Sequence, residues 1–393
     1  MADCMSGKKR PQTGLVPSHD LARRSRAGSR LRAILISSNA VIGEYVIRAL
    51  HALGAKIVLI HDERLAASLR LSRHCEAVLL ASRNLAAESP PRILQTIRQF
   101  HVERGKIDVI MASDIVGLLL LADIRGELPA PVYPMAEPET LLRLSDKWKF
   151  YNLCAANDIA VPKTVYFESK DDIAPQQVEE ALGFPVVIKP VAMYGGIGVQ
   201  FIGNRSALVE RVLQNAAYPY SGLLVQQYIS GRDWGLSLFA RSGRIERWTT
   251  FQCEEHWGTE FAEQPELLDF GRRLVAATGF DGVANFDARL DSRTRRIHVL
   301  ECNPRLFVRA TATRLCGLDF VRAGLAAIGL ADAGGPGKCE GKFYAAGRLL
   351  SREGLSRLFS GEWPLRPLLG NLAEIAADPL PVAARRWGVN CEP

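Results

Sequence analysis

The stretch from Asn285 to Asn303 holds the most demanding chemistry in the chain. Phe286-Asp-Ala-Arg-Leu290 and Ile297-His-Val-Leu-Glu301 read as two strands around a polar segment, Asp291-Ser-Arg-Thr294. The pattern predicts a β-hairpin, with a loop longer than the two-residue ideal. A turn centred near position 294 sets Asp287 opposite Glu301 and Asn285 opposite Asn303, and the period of two puts all four on one face. Facing carboxylates repel, and burying them without a counter-charge is costly. A divalent cation relieves both problems. Asp287, Glu301 and Asn303 offer only hard oxygen ligands and leave coordination positions for water and phosphate, the Mg²⁺ arrangement of phosphoryl-transfer sites rather than a closed calcium cage. The competing reading, a surface hairpin with both acids in water, conflicts with the apolar neighbours Phe286, Val299 and Leu300.

The elements that must position this hairpin follow from the patterning upstream. Leu31–Ser37, Ala55–Ile60 and Ile107–Ala112 read as strands, with helices over Val41–Leu53 and Ile93–Phe100. Alternating strands and helices predict a parallel, Rossmann-like α/β unit over residues 31–135. Its first turn, Ser37 to Gly43, lacks GxGxxG, which argues against a dinucleotide site and for a scaffolding role. The proline-rich seam Leu128–Pro134 reads as a linker. One helix is then expected from Pro138 to Asp158. Strands at Val161–Phe167, Pro185–Pro190, Val199–Ile202 and Leu223–Ile229 follow, with helices at Gln176–Leu182 and Ala207–Gln214. Beyond them, Trp234–Ala240 reads as a strand, Phe251–Thr259 as a loop and Pro265–Thr278 as a helix.

Bulk properties narrow the class. The chain has 393 residues and a formal charge of +7, long for one domain and suited to two or three. Five of the seven net charges fall in residues 1–30, where Lys8, Lys9, Arg10, Arg23, Arg24, Arg26 and Arg30 face only Asp3 and Asp20. Such a leader is expected to be disordered, either a solvated tail or a nucleic-acid arm. The near-neutral remainder disfavours nucleic acid. Arg23-Arg24 is followed by too many charges for an export signal. No apolar run approaches the ~18 residues of a transmembrane helix. Eight cysteines without a CxxC pair point to free thiols in a reducing cytoplasm.

From Ser145 to Gly329 the chain resembles the ATP-grasp superfamily, whose members include D-alanine–D-alanine ligase, biotin carboxylase and the carbamoyl phosphate synthetase large subunit. The resemblance implies a two-lobed α+β ATP-grasp domain over residues 136–330, with a lid lobe at about 162–230, after the Rossmann-like unit. It implies Mg-ATP, with two Mg²⁺ ions (Mn²⁺ being of the same ligand class), and transfer of the terminal phosphate to a carboxylate. Lys147 in LSDKW and Lys189 in VVIKP resemble the two nucleotide lysines; a lysine ending an apolar strand needs a phosphate or a carboxylate to offset its burial. Tyr194, Gly195, Gly196 and Gly198 resemble the mobile loop over the triphosphate, where glycine lets backbone N–H groups approach phosphate oxygens. Taken alone, YGGIG is as good an ordinary turn. Gln226, Gln227 and Ile229 match the adenine-binding segment, and Asp233 matches the acidic residue at the ribose. Asp287, Glu301 and Asn303 fall on the metal positions, and Arg305 on the arginine that steadies the transferring phosphoryl group or the substrate carboxylate. Arg309 faces the same cleft if a helix begins there; a surface salt bridge is the alternative.

The resemblance therefore implies a carboxylate–amine ligase acting on amino-acid-like small molecules. A thiol or bicarbonate-derived acceptor, and a non-catalytic nucleotide-binding protein, are the competing readings. Specificity is expected to come from the first unit, residues 251–259 and the segment after Arg305. His256 reads either as a general base or as an incidental loop residue. Residues 331–393, with a Gly/Pro break at Gly334–Gly337, form an extension that either caps the cleft or makes a homodimer contact.

Overall fold

The structure, a computed structural model, describes residues 30–193, 195–254, 258–334, 337–346, 356, 358, 360–361 and 363–388. The basic leader up to residue 29, Tyr194, His256 and parts of the C-terminal extension lie outside the described residues.

The first unit contains β1 (Arg32–Ser37), α1 (Ala40–Ala52), β2 (Lys56–Asp62), β3 (Cys75–Ser82), α2 (Pro90–Arg104), β4 (Val109–Ala112) and α3 (Ile115–Ile124). Its sheet is parallel, in the order β3-β2-β1-β4. Ile34–Ile36 and Ile57–Ile60 are wholly buried, as expected of central parallel strands covered on both faces. Strand β3 was not anticipated; as an edge strand it is half-exposed and lacks the continuous apolar run of its neighbours. The seam at 128–134 is tied down rather than free. Val132 bridges to Ile110, and the buried Tyr133 hydroxyl donates to the Phe320 carbonyl at 2.6 Å.

The helix expected over 138–158 is two helices, α4 (Pro138–Ser145) and α5 (Lys147–Ala156). Asp146 breaks them with an extended backbone, φ −75° and ψ 118°. Its carboxylate accepts from the Lys149 N–H at 2.8 Å, an N-cap that satisfies a donor otherwise orphaned at the start of α5. Lys147 consequently sits on the first turn.

A small antiparallel sheet follows in the order β5-β8-β6-β7, from β5 (Thr164–Phe167), β6 (Val186–Pro190), β7 (Gln200–Ile202) and β8 (Leu223–Gln227). It is covered by α6 (Pro175–Leu182) and by α7 (Arg205–Leu208), which continues as a π-helical turn at Val209–Leu213. Val186, Ile188, Ile202, Leu208, Val212 and Val225 form a core of their own, separate from the main one.

The remaining sheet is six-stranded and antiparallel, in the order β13-β12-β9-β10-β11-β14. Its strands are β9 (Gly231–Arg241), β10 (Arg244–Glu254), β11 (Gly258–Phe261), β12 (Gly282–Asp291), β13 (Ile297–Asn303) and β14 (Lys342–Phe343), with α8 (Pro265–Thr278), α9 (Ala310–Leu315) and α10 (Phe320–Ala327). The loop expected at 251–259 is mostly sheet, because buried Phe251 pairs with Phe261 and Cys253 with Thr259.

The described end of the chain forms α11 (Leu365–Ala377) and α12 (Pro379–Arg386). These helices dock on the first unit and on α9. Buried Glu44 on α1 bridges Arg48 at 2.6 Å and Arg385 at 2.8 Å, Asp378 accepts from Ser72 and from the Arg73 N–H, and Arg314 pairs with Glu374. Removing one member of a buried ionic cluster leaves its partners uncompensated. Glu44→Ala is thus expected to lower unfolding free energy by about 3 kcal/mol, read as a shift of the urea midpoint at unchanged slope.

Candidate functional site

The site is built on the β12–β13 hairpin. Asp287 pairs with Glu301 and Asn285 with Asn303 in the backbone register, the alignment that the turn position predicts. Beyond it the register slips by one residue between Asp287 and Ala288, so Ala288 faces Val299 and Arg289 faces His298. The bulge adds local twist where the acids sit. Two amides hold Asp287: Asn285 Nδ2 donates to Oδ1 at 3.0 Å, and Asn303 Nδ2 to Oδ2 at 3.2 Å. Asn285 is itself fixed, accepting from Ser237 Oγ at 2.9 Å. Burial, with the charge of Glu301 added, pushes Asp287 up to about 7. Two carboxylates forced together in this way are an electrostatic cost waiting for a cation.

Across the cleft, β6 and the loop after it bring up the cations. Lys189 is buried, with Nζ 3.4 Å from the Leu300 carbonyl on β13. Burial lowers it to about 8, against the opposing pull of Glu301. It belongs to no ion pair among the described residues, so the carboxylate bridge that would have made it purely structural is missing. Lys147 Nζ, from the first turn of α5, donates to the carbonyls of Val191 (3.4 Å) and Met193. Burial lowers its pKa too, while Glu301 pulls the other way. Next come Gly195, Gly196 and Gly198, all at positive φ. A Cβ on Gly198 would stand 2.7 Å from Pro190 Cγ and 2.8 Å from Tyr220 Cε2, so only glycine fits. Gly195 and Gly196 are exposed with nothing near.

At the junction between the sheets, Gln226 is buried and its Nε2 donates to Thr164 Oγ1 at 2.9 Å. Gln227 ends β8, its N–H donating to the Lys163 carbonyl at 2.8 Å, and Ile229 is buried just beyond. Asp233, on β9, pairs with Arg289 at 3.3 Å. Arg305 Nη2 donates to Asn303 Oδ1 and Nη1 to the Leu306 carbonyl, both at 2.9 Å. Burial lowers its pKa, with Asp114, Asp287 and Glu301 resisting. Arg309 stands at the N-terminal boundary of α9, without a side-chain capping bond, and its guanidinium lies over the Phe251 ring at 5.3 Å; a helix does begin there, at Ala310. Its charge acts on Asp287.

Two sets of residues at the site were not singled out in the sequence. A cavity of about 330 Å³ is walled by Lys147, Lys149, Glu301 and Arg305 on one side and by Ser38, Asn39 and Asp114 on the other. The first unit therefore forms one wall of the cleft and does more than scaffold it. Asp114 caps α3 and accepts from Ser38 N, Ser38 Oγ and Ser113 Oγ, tying the loops after β1 and β4 together. The second is Arg289, which period two places on the same strand face as Asp287.

The donor set suits Mg²⁺. Among the described residues no cluster of three His, Cys, Asp or Glu side chains could enclose an ion. An ion at Asp287 and Glu301 would need oxygens from phosphate or water to complete its shell, as Mg²⁺ sites commonly do. Asn303 completes the set only by sharing the amide oxygen now used by Arg305.

Residues 144–234 match the RimK-like ATP-grasp domain. The carbamoyl phosphate synthase arginine-specific large chain of Bacillus subtilis (strain 168) is 26% identical over 181 residues, covering 42% of this chain and 17% of that protein. D-aspartate ligase of Enterococcus faecium (strain Aus0004) is 23% identical over 220 residues, covering 49% and 51%. The structure of N5-carboxyaminoimidazole synthetase from Staphylococcus aureus complexed with ADP superposes with a TM-score of 0.63 at 14% identity, covering 84% of this chain and 87% of that one. This chain carries an ATP-grasp domain. The chain spans about half the length of the D-aspartate ligase it matches and far less of the synthase. Lys147, Lys189, the glycine loop and Asp233 fall inside the matched residues, whereas the β12–β13 hairpin lies beyond them. No helix among the described residues is long and apolar enough to cross a membrane.

Proposed function

We propose that this protein uses ATP to activate a small carboxylate as an acyl phosphate and passes the acyl group to an amine, releasing ADP and phosphate. The observation that carries the reading is the Asp287–Glu301 pair, in register on one strand face, with the buried Lys189, in no ion pair among the described residues, donating to the same hairpin at the Leu300 carbonyl. Opposed charges held apart across a cleft fit a ligand with both phosphate oxygens and a divalent ion. The similar proteins include a ligase and a synthetase, which supports an enzyme over a silent binding protein.

In this reading residues 136–330 form the catalytic unit and 162–230 its lid. Lys147 and Lys189 draw the phosphates in, and the 195–198 backbone covers them. Gln226, Gln227 and Ile229 hold the base, and Asp233 the ribose. Asp287, Glu301 and Asn303 would hold Mg²⁺, which when bound neutralises charge on the transferring phosphoryl group. Attack of a carboxylate on a nucleotide brings like charges together, and the Arg305 guanidinium, with Arg309 nearby, lowers that repulsion while orienting the acid. The acyl–phosphate bond forms as the terminal P–O bond to ADP breaks; the amine then displaces phosphate. Closure of the lid, which has its own core, excludes the water that would hydrolyse the intermediate. The six described cysteines are free, which supports a cytoplasmic setting, and no partner beyond small acids and amines is needed; a homodimer is compatible with it.

The reading is tested by offering purified protein Mg-ATP with pairs drawn from amino acids and other small acids and amines. The expected outcome is ADP formation that needs both partners, with a condensation product one water lighter than their sum by mass spectrometry. ADP formation indifferent to every acid would reject it.

A further inference from the structure

Arg289 makes several directed contacts at the edge of the proposed nucleotide site. It stands two residues beyond Asp287 on β12, paired in register with Asp233 on β9. Its Nη1 lies 3.3 Å from Asp233 Oδ1. Its Nη2 donates to the Tyr228 hydroxyl and to the Gly231 carbonyl, each at 3.2 Å. The guanidinium carbon lies 5.0 Å from the centre of the Tyr228 ring. Phe201 of the lid packs its edge on the same ring at 5.0 Å. Nε is buried and has no hydrogen-bond partner among the described residues.

We infer that Arg289 is a positioning residue for the sugar end of the nucleotide, holding the Asp233 carboxylate and the Tyr228 segment in one frame against which the ribose hydroxyls bind. The inference rests on the ATP-grasp reading of the site. A solvent-exposed ion pair alone contributes little, and Asp233 is half exposed. What distinguishes Arg289 is the fork. One nitrogen fixes a carboxylate oxygen and leaves the other oxygen of Asp233 to accept a hydroxyl, while the second nitrogen fixes the backbone between the base-binding and ribose-binding residues. A carboxylate already immobilised loses less entropy when it takes up a hydroxyl, and a lysine, a point charge without the fork, cannot hold three acceptors in the same way. Gly231 shows how tight the corner is: a Cβ there would stand 1.9 Å from the Leu290 carbonyl oxygen.

The test needs no knowledge of the acid. Binding of ADP and of 2′,3′-dideoxy-ADP with Mg²⁺ is measured calorimetrically for wild type, Arg289→Met, Arg289→Lys and Asp233→Asn. Wild type is expected to prefer ADP about tenfold, the worth of a hydrogen bond to a charged group. Arg289→Met and Asp233→Asn should each abolish that preference. Arg289→Lys, which keeps a cation in the frame and guards against a folding defect, should retain only part of it. A structural role alone would weaken both nucleotides equally, and an unchanged ratio in both Arg289 variants would overturn the inference. Loss of preference in Asp233→Asn only would show that Asp233 acts without Arg289, with the nucleotide reading intact. Wild type that binds no ADP would remove that reading and the inference with it.

Discussion

Glu301→Gln is expected to reduce ATP-dependent ligation by about 10³-fold or more, the scale of losing a carboxylate that would hold Mg²⁺ against the transferring phosphoryl group, a contribution of several kcal/mol. The substitution is nearly isosteric, so the β12–β13 pairing survives. It also removes the charge that, after burial, does most to raise Asp287. The nucleotide-free variant should therefore melt no lower than wild type, and higher if relief of the Asp287–Glu301 repulsion dominates. Lost turnover with retained or raised stability is the signature of a residue kept for chemistry. A surface hairpin whose acids face water would show neither change. The pair of measurements is steady-state phosphate release beside a thermal melt.

Lys189→Met is the second large effect, and it cuts both ways. In the phosphate-binding role proposed for Lys189, its loss should weaken Mg-ADP binding by at least tenfold and turnover by about 10²–10³-fold. Stability should move in the opposite direction. Lys189 titrates at about 8 in the folded chain, against its usual 10.5, so the unfolded chain binds the proton more tightly. The resulting penalty is fully present below pH 8 and fades as pH rises toward 10.5. Removing the amine should thus stabilise the nucleotide-free protein by up to about 3 kcal/mol at neutral pH, and the gain should shrink in melts repeated at pH 9 and 10. A lysine held by a structural ion pair would behave oppositely, its loss destabilising the fold at neutral pH.

These effects concern residues that were visible in the sequence, and the reason is physical. Charged groups on an otherwise apolar strand violate the burial pattern, and the period of two says which of them share a face. The Asp287–Glu301 opposition followed from that period and one turn position; the bulge just beyond it did not, because a one-residue insertion leaves no compositional mark. Lys189 stood out as a cation at the end of VVIKP. Arg289 did not, since an arginine beside a polar turn looks like ordinary surface, and only the distances to Asp233, Tyr228 and Gly231 give it a role. Which residues of the first unit line the cleft was hidden for a related reason. Ser38, Asn39 and Asp114 sit in two loops 76 positions apart, brought together because β1 and β4 are neighbours in the sheet. Strand β10 was missed because its apolar residues, Ile245, Trp248 and Phe251, are interrupted by charges and threonines and follow no clean alternation. The break at Asp146 is an N-cap inside a helical-looking run, legible only once the extended backbone is seen.

Acyl-phosphate chemistry is tested most directly by replacing the unknown amine with hydroxylamine. Purified wild type and Glu301→Gln would be incubated with Mg-ATP, hydroxylamine and a pooled set of carboxylic acids, with hydroxamate and phosphate followed together. The predicted result is hydroxamate formed in step with phosphate by wild type and lost in the variant, which also names the acid through its hydroxamate mass. Phosphate released without hydroxamate from any acid, or hydroxamate formed equally well by Glu301→Gln, would contradict it.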